Sequence, residues 1–338
     1  MSFSLGDLTF PIVGAPMAGG PSTPALAAAV TNAGGLGSLP AGYLTPDAFA
    51  DTLAAARSLT SGPLGVNLFV PQPCAASQAE LDTYRDRLVP LARRYGVEPG
   101  RARPDDDGWQ AKLDVVADTA PELVSFTFGC PAPAVLARFR SRGVLTAVTV
   151  SSAEEAAQAV AAGADALVVQ GPEAGGHRSI FDPAAGSPDT PLTTLLAQIA
   201  PLDVPVVAAG GLGDAAAVRD ALAAGAVAAQ VGTALLLCDE AGTNAVHRAA
   251  LRDEQFTETV VTRAFSGRYA RSLANAFTAT YSEVAPPGYP QVNQLTAPIR
   301  AASLAAADPH ATNLWAGTAW RAIPGGPAAE VVAALAAR

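Results

Sequence analysis

A (β/α)8 TIM barrel is the fold class that three features of this 338-residue chain predict. Short apolar runs alternate with Ala-rich amphipathic segments, and the beat supplies eight strands, the count of such a barrel. The runs are apolar along their whole length, as strands of a parallel sheet covered on both faces are. Glycine-rich turns cluster after the sixth, seventh and eighth runs, and no GxGxxG opens the first helix. That disfavours the competing doubly wound open sheet.

The strands are expected at Pro11–Ala15, Gly35–Leu39, Leu64–Phe69, Leu123–Phe128, Leu145–Val150, Ala166–Val169, Pro205–Ala209 and Ala228–Val231. Between them the 3.6-residue pattern predicts helices over Thr23–Ala33, Pro46–Ser58, Ala132–Arg142, Ala153–Ala162, Leu192–Ala200 and Asp214–Ala224. Ser, Thr or Asp stands beside the first turn of several, and "AG" closes most of them, a glycine suited to the left-handed cap. Two regions break the beat. Pro71–Pro121 is too long for one helix and reads as an elaborated region between the third strand and its helix. It holds a helical stretch near Glu80–Tyr95, and "DDD" (105–107) reads as a solvated turn. After the eighth strand about a hundred residues remain, more than a closing helix needs. Asp239–Arg271 looks helical and "EVAPPGYPQVNQLTAP" does not. Residues 1–233 are thus expected to form the barrel core, and 234–338 a mainly helical extension over the barrel mouth.

Composition narrows the function classes. Half the residues are hydrophobic, enough for a large core, and 15% are charged. With 30 acidic against 21 basic residues the net charge is −9, and no Lys/Arg-rich run offers a footprint for nucleic acid or an anionic membrane. Three cysteines without CxxC spacing fit a reducing compartment better than a disulfide framework or a zinc site. The opening "MSFSLGDLTF" has neither basic patch nor apolar core, so no secretory signal is expected and a cytoplasmic location is. The uncharged run Ala221–Cys238 reads as a helix end, a turn and a buried strand rather than a membrane span.

Barrel enzymes work at the C-terminal ends of their strands, with a phosphate commonly held after the seventh and eighth. Here those strands end in "VVAAGGLGD" and "AAQVGTALL". Glycines let backbone N–H groups approach an anion, and Thr233 adds a hydroxyl. The first strand ends in "GAPMAGG", where Ala15 and Met17 offer backbone atoms and Pro16 stiffens the turn. Asn67 interrupts one apolar strand and Gln170 ends another. A buried amide needs partners, which either the backbone or the polar edge of a heterocycle supplies. A flat, polar-edged ring carrying a phosphate fits such a site, and flavin mononucleotide (FMN) is one. In "QGPEAGGHRS", His177, one of three histidines, carries a group that titrates near neutrality into the barrel mouth. His247 and His310 read as structural.

"PIVGAPMAGG", "GVNLF", "VVQGPEAGGHRS", "VPVVAAGGLGD" and "AQVGTALL", in that order, resemble the nitronate monooxygenase family, once called 2-nitropropane dioxygenases. The likeness continues more weakly through "TRAFSGRYARSLAN" and "NLWAGTAW". It implies an FMN-dependent barrel related to flavin-dependent enoyl-ACP reductases. It further implies that FMN is held by Ala15, Pro16, Met17, Asn67, Gln170, Gly175, Gly176, Gly210, Gly211, Gln230, Gly232 and Thr233, with His177 as the catalytic residue and no metal. The implied reaction is oxidation of an alkyl nitronate or nitroalkane by flavin with O2, releasing a carbonyl compound and nitrite, by a monomer or homodimer. Three departures bear on the substrate. "FTFG" places Thr127 where the family often has histidine, "HRS" replaces a more usual "HxG", and "WAGT" ends in Thr318 where glutamine is common. The alternative on the same scaffold is an FMN-dependent NAD(P)H oxidoreductase acting on an enoyl thioester or a quinone.

Overall fold

In the computed structural model, which describes residues 3–337, eight parallel strands form one sheet that curls into a barrel. They are β1 (Ile12–Gly14), β2 (Gly37–Pro40), β3 (Leu64–Phe69), β4 (Leu123–Thr127), β5 (Leu145–Val150), β6 (Ala166–Gln170), β8 (Val206–Ala209) and β9 (Ala228–Val231). The skipped number, β7, is the two-residue strand Gly176–His177, which lies outside the barrel. Neighbours run β1-β9-β8-β6-β5-β4-β3-β2. Closure comes from Leu36, whose N–H donates to the Ile12 carbonyl and whose carbonyl accepts from Gly14 N–H, both at 2.9 Å.

Strand periodicity sorts the side chains. In β3, Leu64, Val66 and Leu68 face the helices, and in β4 Val124 and Phe126 do the same; all belong to the main core between sheet and helices. Residues of the opposite parity fill the barrel, where Val13, Leu36, Leu123, Ala147, Ala166, Val168, Val207 and Ala228 pack over Leu5. The same inward parity, nearer the C-terminal ends, falls on Asn67, Ser125, Thr127, Thr149, Gln170 and Gln230. That gives the barrel a polar upper layer on an apolar plug.

The outer ring follows the expected pattern: α1 (Pro24–Asn32), α2 (Pro46–Leu59), α5 (Pro133–Arg140), α6 (Ala153–Ala162), α7 (Leu192–Ile199) and α8 (Ala215–Ala223). Thr23, Thr45, Ser152 and Asp214 cap α1, α2, α6 and α8 with side-chain oxygens, satisfying N–H groups the first turn leaves open. The last helix, α12 (Ala328–Leu335), returns to the ring beside α1 and α8. Among the described residues no helix is long and apolar enough to cross a membrane.

The elaborated region holds α3 (Gln78–Arg94) and a second helix, α4 (Trp109–Thr119). Leu81, Tyr84, Leu88 and Ala92 form one stripe of α3 and bury against Val292, Leu295 and Ile299 of α11 (Gln291–Ala305) in a separate core. Two expectations for the extension need correction. Asp239–Arg271 is not one helical stretch. It holds only α9 (Ala245–Ala250), then β10 (Thr259–Thr262), and Ala270–Arg271 opens β11 (Ala270–Leu273). The β-branched "TVVT" prefers an extended chain, and β11 supplies its hydrogen-bonding partner. Conversely, α11 begins inside "EVAPPGYPQVNQLTAP" and runs through Pro298. Proline there forfeits the N–H that would meet the Gln294 carbonyl. Burial of the α11 stripe outweighs that loss. The turn 105–107 is also more than solvated, because Asp107 pairs with the buried Lys112 at 2.7 Å.

Candidate active site

A cavity of about 610 Å3 opens at the C-terminal ends of the strands. All thirteen site residues expected from the sequence line it, as do Ser125, Thr127 and Thr149 of the polar layer. Thr127, where the family often has histidine, is a prop. Its Oγ1 accepts from Asn67 Nδ2 at 2.9 Å, and Ser125 Oγ accepts from the same amide at 3.0 Å. That leaves Asn67 Oδ1 without a protein donor among the described residues, facing the cavity floor. Gln170 is used differently. Its Nε2 donates to the His177 carbonyl (3.0 Å) and its Oε1 accepts from Ser179 N–H (2.9 Å), so one side chain fastens the following loop at two points.

The glycines form the walls. Gly210 and Gly211, after β8, hold φ of 112° and 74°, a region that side-chain-bearing residues avoid. Gly175 has another reason: a Cβ there would lie 2.5 Å from Gly317 N, because "WAGT" crosses directly over "EAGG". Thr233 Oγ1 accepts from Gly317 N–H at 2.9 Å, and Thr318 N–H donates to the Glu173 carbonyl at 3.0 Å. A Cβ on Gly176 would meet no protein atom within 4 Å and would stand in the cavity itself. Small glycine turns and an unpartnered amide oxygen on the floor fit a phosphate-bearing, polar-edged ring.

His177 sits on a rigid mount. β7 pairs antiparallel with β11, Gly176 opposite Arg271 and His177 opposite Ala270, and Arg178 N–H donates to the Tyr269 carbonyl at 2.7 Å. The imidazole lies among Trp315, Phe128 and Tyr289, at ring-centre distances of 5.4, 5.5 and 6.0 Å. Its Nε2 is 2.8 Å from Ser266 Oγ. In the tautomer in which the Ser266 hydroxyl donates to the Arg268 carbonyl (3.3 Å), Nε2 donates to Ser266 and Nδ1 keeps the lone pair; in the other the roles of the two ring nitrogens are exchanged.

Two guanidinium groups bias this histidine. Arg268 is 2% exposed, lies 4.2 Å from the centre of the Phe128 ring, and donates to the Ile180 carbonyl at 2.8 Å. Arg300, on α11, lines the cavity and is clamped by Asn293 Oδ1 (2.6 Å), Asn313 Oδ1 (3.0 Å) and Thr296 Oγ1 (3.1 Å). Neither forms an ion pair; the four ion pairs among the described residues all lie elsewhere. Enclosure, and then the positive charges of Arg268 and Arg300, lower the His177 pKa to about 3. The imidazole is neutral at physiological pH, in a positively charged cavity.

Ser266, Arg268, Trp315 and Arg300 come from the extension, where a single sequence offers little to rank one polar residue above another. Tyr289 also reaches the site, whereas Tyr281 packs in the second core. His310 is exposed, 5.9 Å from Phe256. His247 lines the cavity, with Nε2 buried and lacking a hydrogen-bond partner.

Fold and cavity together define a barrel enzyme of the flavin-dependent oxidoreductase class. The nitronate monooxygenase family model matches residues 4–337. A nitronate monooxygenase of Paraburkholderia phytofirmans is 41% identical over 335 residues, covering 96% of this chain and 91% of that one. Among solved structures, a nitroalkane oxidase from Streptomyces ansochromogenes superposes with a TM-score of 0.94 at 45% identity, covering 98% of this chain and 96% of that one. FabK from Thermotoga maritima, at 24% identity and a TM-score of 0.76 over 98% of this chain and 93% of that one, shares the fold. The chain belongs to the nitronate monooxygenase family.

Proposed function

We propose that this protein oxidises alkyl nitronates, with bound FMN and O2, to a carbonyl compound and nitrite. The observation that carries the reading is a neutral histidine held among unpaired arginines at the mouth of a cavity whose turns suit a phosphate. When bound, FMN would supply the redox chemistry between the substrate and O2. Gly210, Gly211, Gly232 and Thr233 would hold its phosphate, with Gly175 and Gly176 lining that side. Asn67, Gln170 and Gln230 would meet the polar edge of the ring, and Ala15, Pro16 and Met17 the remaining backbone contacts.

The protein's own part is electrostatic. Arg268 and Arg300 favour an anion, so the nitronate is preferred over its neutral nitroalkane. His177, neutral, accepts a proton at its unprotonated ring nitrogen from the carbon beside a neutral nitro group, or shares one with a bound nitronate oxygen. Residues 1–233 act as the cofactor-binding core, and 234–338 as the extension that brings Ser266, Arg268, Arg300 and Trp315 to His177. Anaerobic mixing tests the reading. Ethylnitronate should bleach the flavin within the turnover time while NADH bleaches it slowly. Bleaching by NAD(P)H and not by nitronate would replace it with the reductase.

A further inference from the structure

Tyr43 follows β2 in a strained turn. Its φ is 69°, a left-handed value uncommon for a bulky residue. A dedicated contact holds it there. The Tyr43 N–H donates to Asp107 Oδ1 at 3.0 Å, and Asp107 is itself left-handed, with φ of 57°. The other carboxylate oxygen lies 2.7 Å from Lys112 Nζ, whose side chain is 2% exposed and whose ammonium has no other polar partner among the described residues. Burying an ammonium group is costly unless it is paired. Here the pair spans from α4 to the backbone of one tyrosine.

The ring of Tyr43 stands between two spaces. It lines the active-site cavity and also an adjoining outer cleft of about 60 Å3 walled by Asp105, Asp106 and Gln72. It meets Phe69 edge-on at 5.6 Å, and Phe69 leads through Phe128 (4.6 Å) to His177 (5.5 Å). The Tyr43 and Tyr289 hydroxyls are 3.5 Å apart. Gly42 cannot carry a side chain, since a Cβ would fall 2.2 Å from the Phe69 ring. The turn is therefore pressed onto the aromatic wall.

We propose that Tyr43 is a specificity-determining residue and that the Asp107–Lys112 pair is the strut that positions it. The ring closes the cavity toward the outer cleft and limits the size of the group carried on the reacting carbon. This deepens, and rests on, the nitronate reading above. Wild type favours short-chain nitronates, and removing the ring joins cleft to cavity.

The test compares kcat/KM for ethylnitronate with that for cyclohexylnitronate. Tyr43→Gly, which also relieves the backbone strain, should raise the bulky-to-small ratio about 10-fold or more, since one group's width in a pocket has effects of that size. Tyr43→Phe should leave the ratio within about 2-fold of wild type, because the ring alone fills the space. Lys112→Met and Asp107→Asn should each shift the ratio in the direction of Tyr43→Gly through KM for the bulky substrate, with kcat for ethylnitronate retained. An unchanged ratio in Tyr43→Gly overturns the proposal. So does a loss of kcat alone in both strut variants. Acrylamide quenching of Trp315 in a Trp109→Phe, Trp320→Phe background, which leaves it the one tryptophan, separates this from failure of the nitronate reading. Tyr43→Gly should raise the quenching constant whatever the substrate is, and equal quenching removes the partition.

Discussion

His177 should show no ionisation between roughly pH 5 and 8 in the free enzyme, unlike an ordinary histidine. Its pKa falls from 6.5 to about 3. At about 1.4 kcal/mol per unit, that is a preference of about 5 kcal/mol for the neutral ring, set first by enclosure among Phe128, Tyr289 and Trp315 and then by Arg268 and Arg300. The sign is definite. A base with a lowered pKa stays deprotonated as pH falls, so the acid limb retreats to about pH 3. The assay is kcat/KM against pH with nitronate delivered from an alkaline stock, because kcat/KM reports groups of the free enzyme. The profile should be level from about pH 8 to 5, where a ring of ordinary pKa would cost about 10-fold per unit below 6.5. Arg300→Met removes one of the two charges and should move the limb upward. A wild-type limb near pH 6 to 7 that disappears in His177→Asn would refute the electrostatic reading of the cavity.

Three more outcomes follow from the same geometry. His177→Asn should keep the flavin absorbance and lose about 10²- to 10⁴-fold in turnover, more with nitroethane than with ethylnitronate, as oxygen consumption would show. Gly175→Ala places a Cβ 2.5 Å from Gly317 N and 2.6 Å from Ala316 C, so the two crossing segments must separate. A fall in flavin content on purification and a loss of about 1–3 kcal/mol in urea denaturation are expected. Burial lowers the His247 pKa to about 4, a value raised in part by the Trp315 backbone. The folded state then binds its proton less readily than the unfolded chain, and stability declines as pH drops from 6.5 toward 4. His247→Gln should remove about 2 kcal/mol of the difference between pH 7 and 5, with identical pH slopes in the two proteins counting against it.

The barrel was legible because its determinants are local. Strands and helices of "GVNLF" or "SSAEEAAQAV" kind carry their own periodicity and caps, and a polar residue in an otherwise apolar strand, as in β3, β6 and β9, marks the cavity floor. Asn67 and Gln170 stood out for that reason; Ser125 and Thr149, on the same inward parity, could have been found by it. The extension follows from long-range pairing instead. Ala270 faces His177 across ninety-odd residues of chain, and "TVVT" becomes a strand only because β11 lies beside it. Helix α11 forms despite Pro298, since α3 buries its apolar stripe. Ser266 and Arg268 fall in "TRAFSGRYARSLAN", where the family likeness is weak, and no local periodicity there marks them as buried beside a histidine about ninety residues away.

The charges on the two sides of the His177 loop differ, and the difference gives Arg178 and Glu173 a place. Arg178, 1% exposed, lies beneath the loop and donates to the Gly171 and Gln170 carbonyls, while Arg271 donates to the Pro172 carbonyl at 2.8 and 3.0 Å. Three consecutive carbonyls are thereby held by guanidinium groups, and Ser179, where the family more often has glycine, adds a hydroxyl that donates to the Thr149 carbonyl at 2.9 Å. Burial lowers the pKa of both arginines, and the negative charge of Glu173 opposes that lowering at each. Beneath the loop, then, positive charge is answered by a carboxylate. Near His177, Arg268 and Arg300 form no ion pair: their hydrogen bonds go to carbonyls, amides and a hydroxyl, Arg268 lies over the Phe128 ring, and Glu155 and Asp182 act on Arg268 only from beyond ion-pair distance. In a chain of net charge −9, leaving those two guanidiniums without a carboxylate partner concentrates positive potential where the substrate must sit. Placing a carboxylate there, as in Asn293→Asp against Arg300, should therefore weaken nitronate binding while leaving the mount of His177 intact.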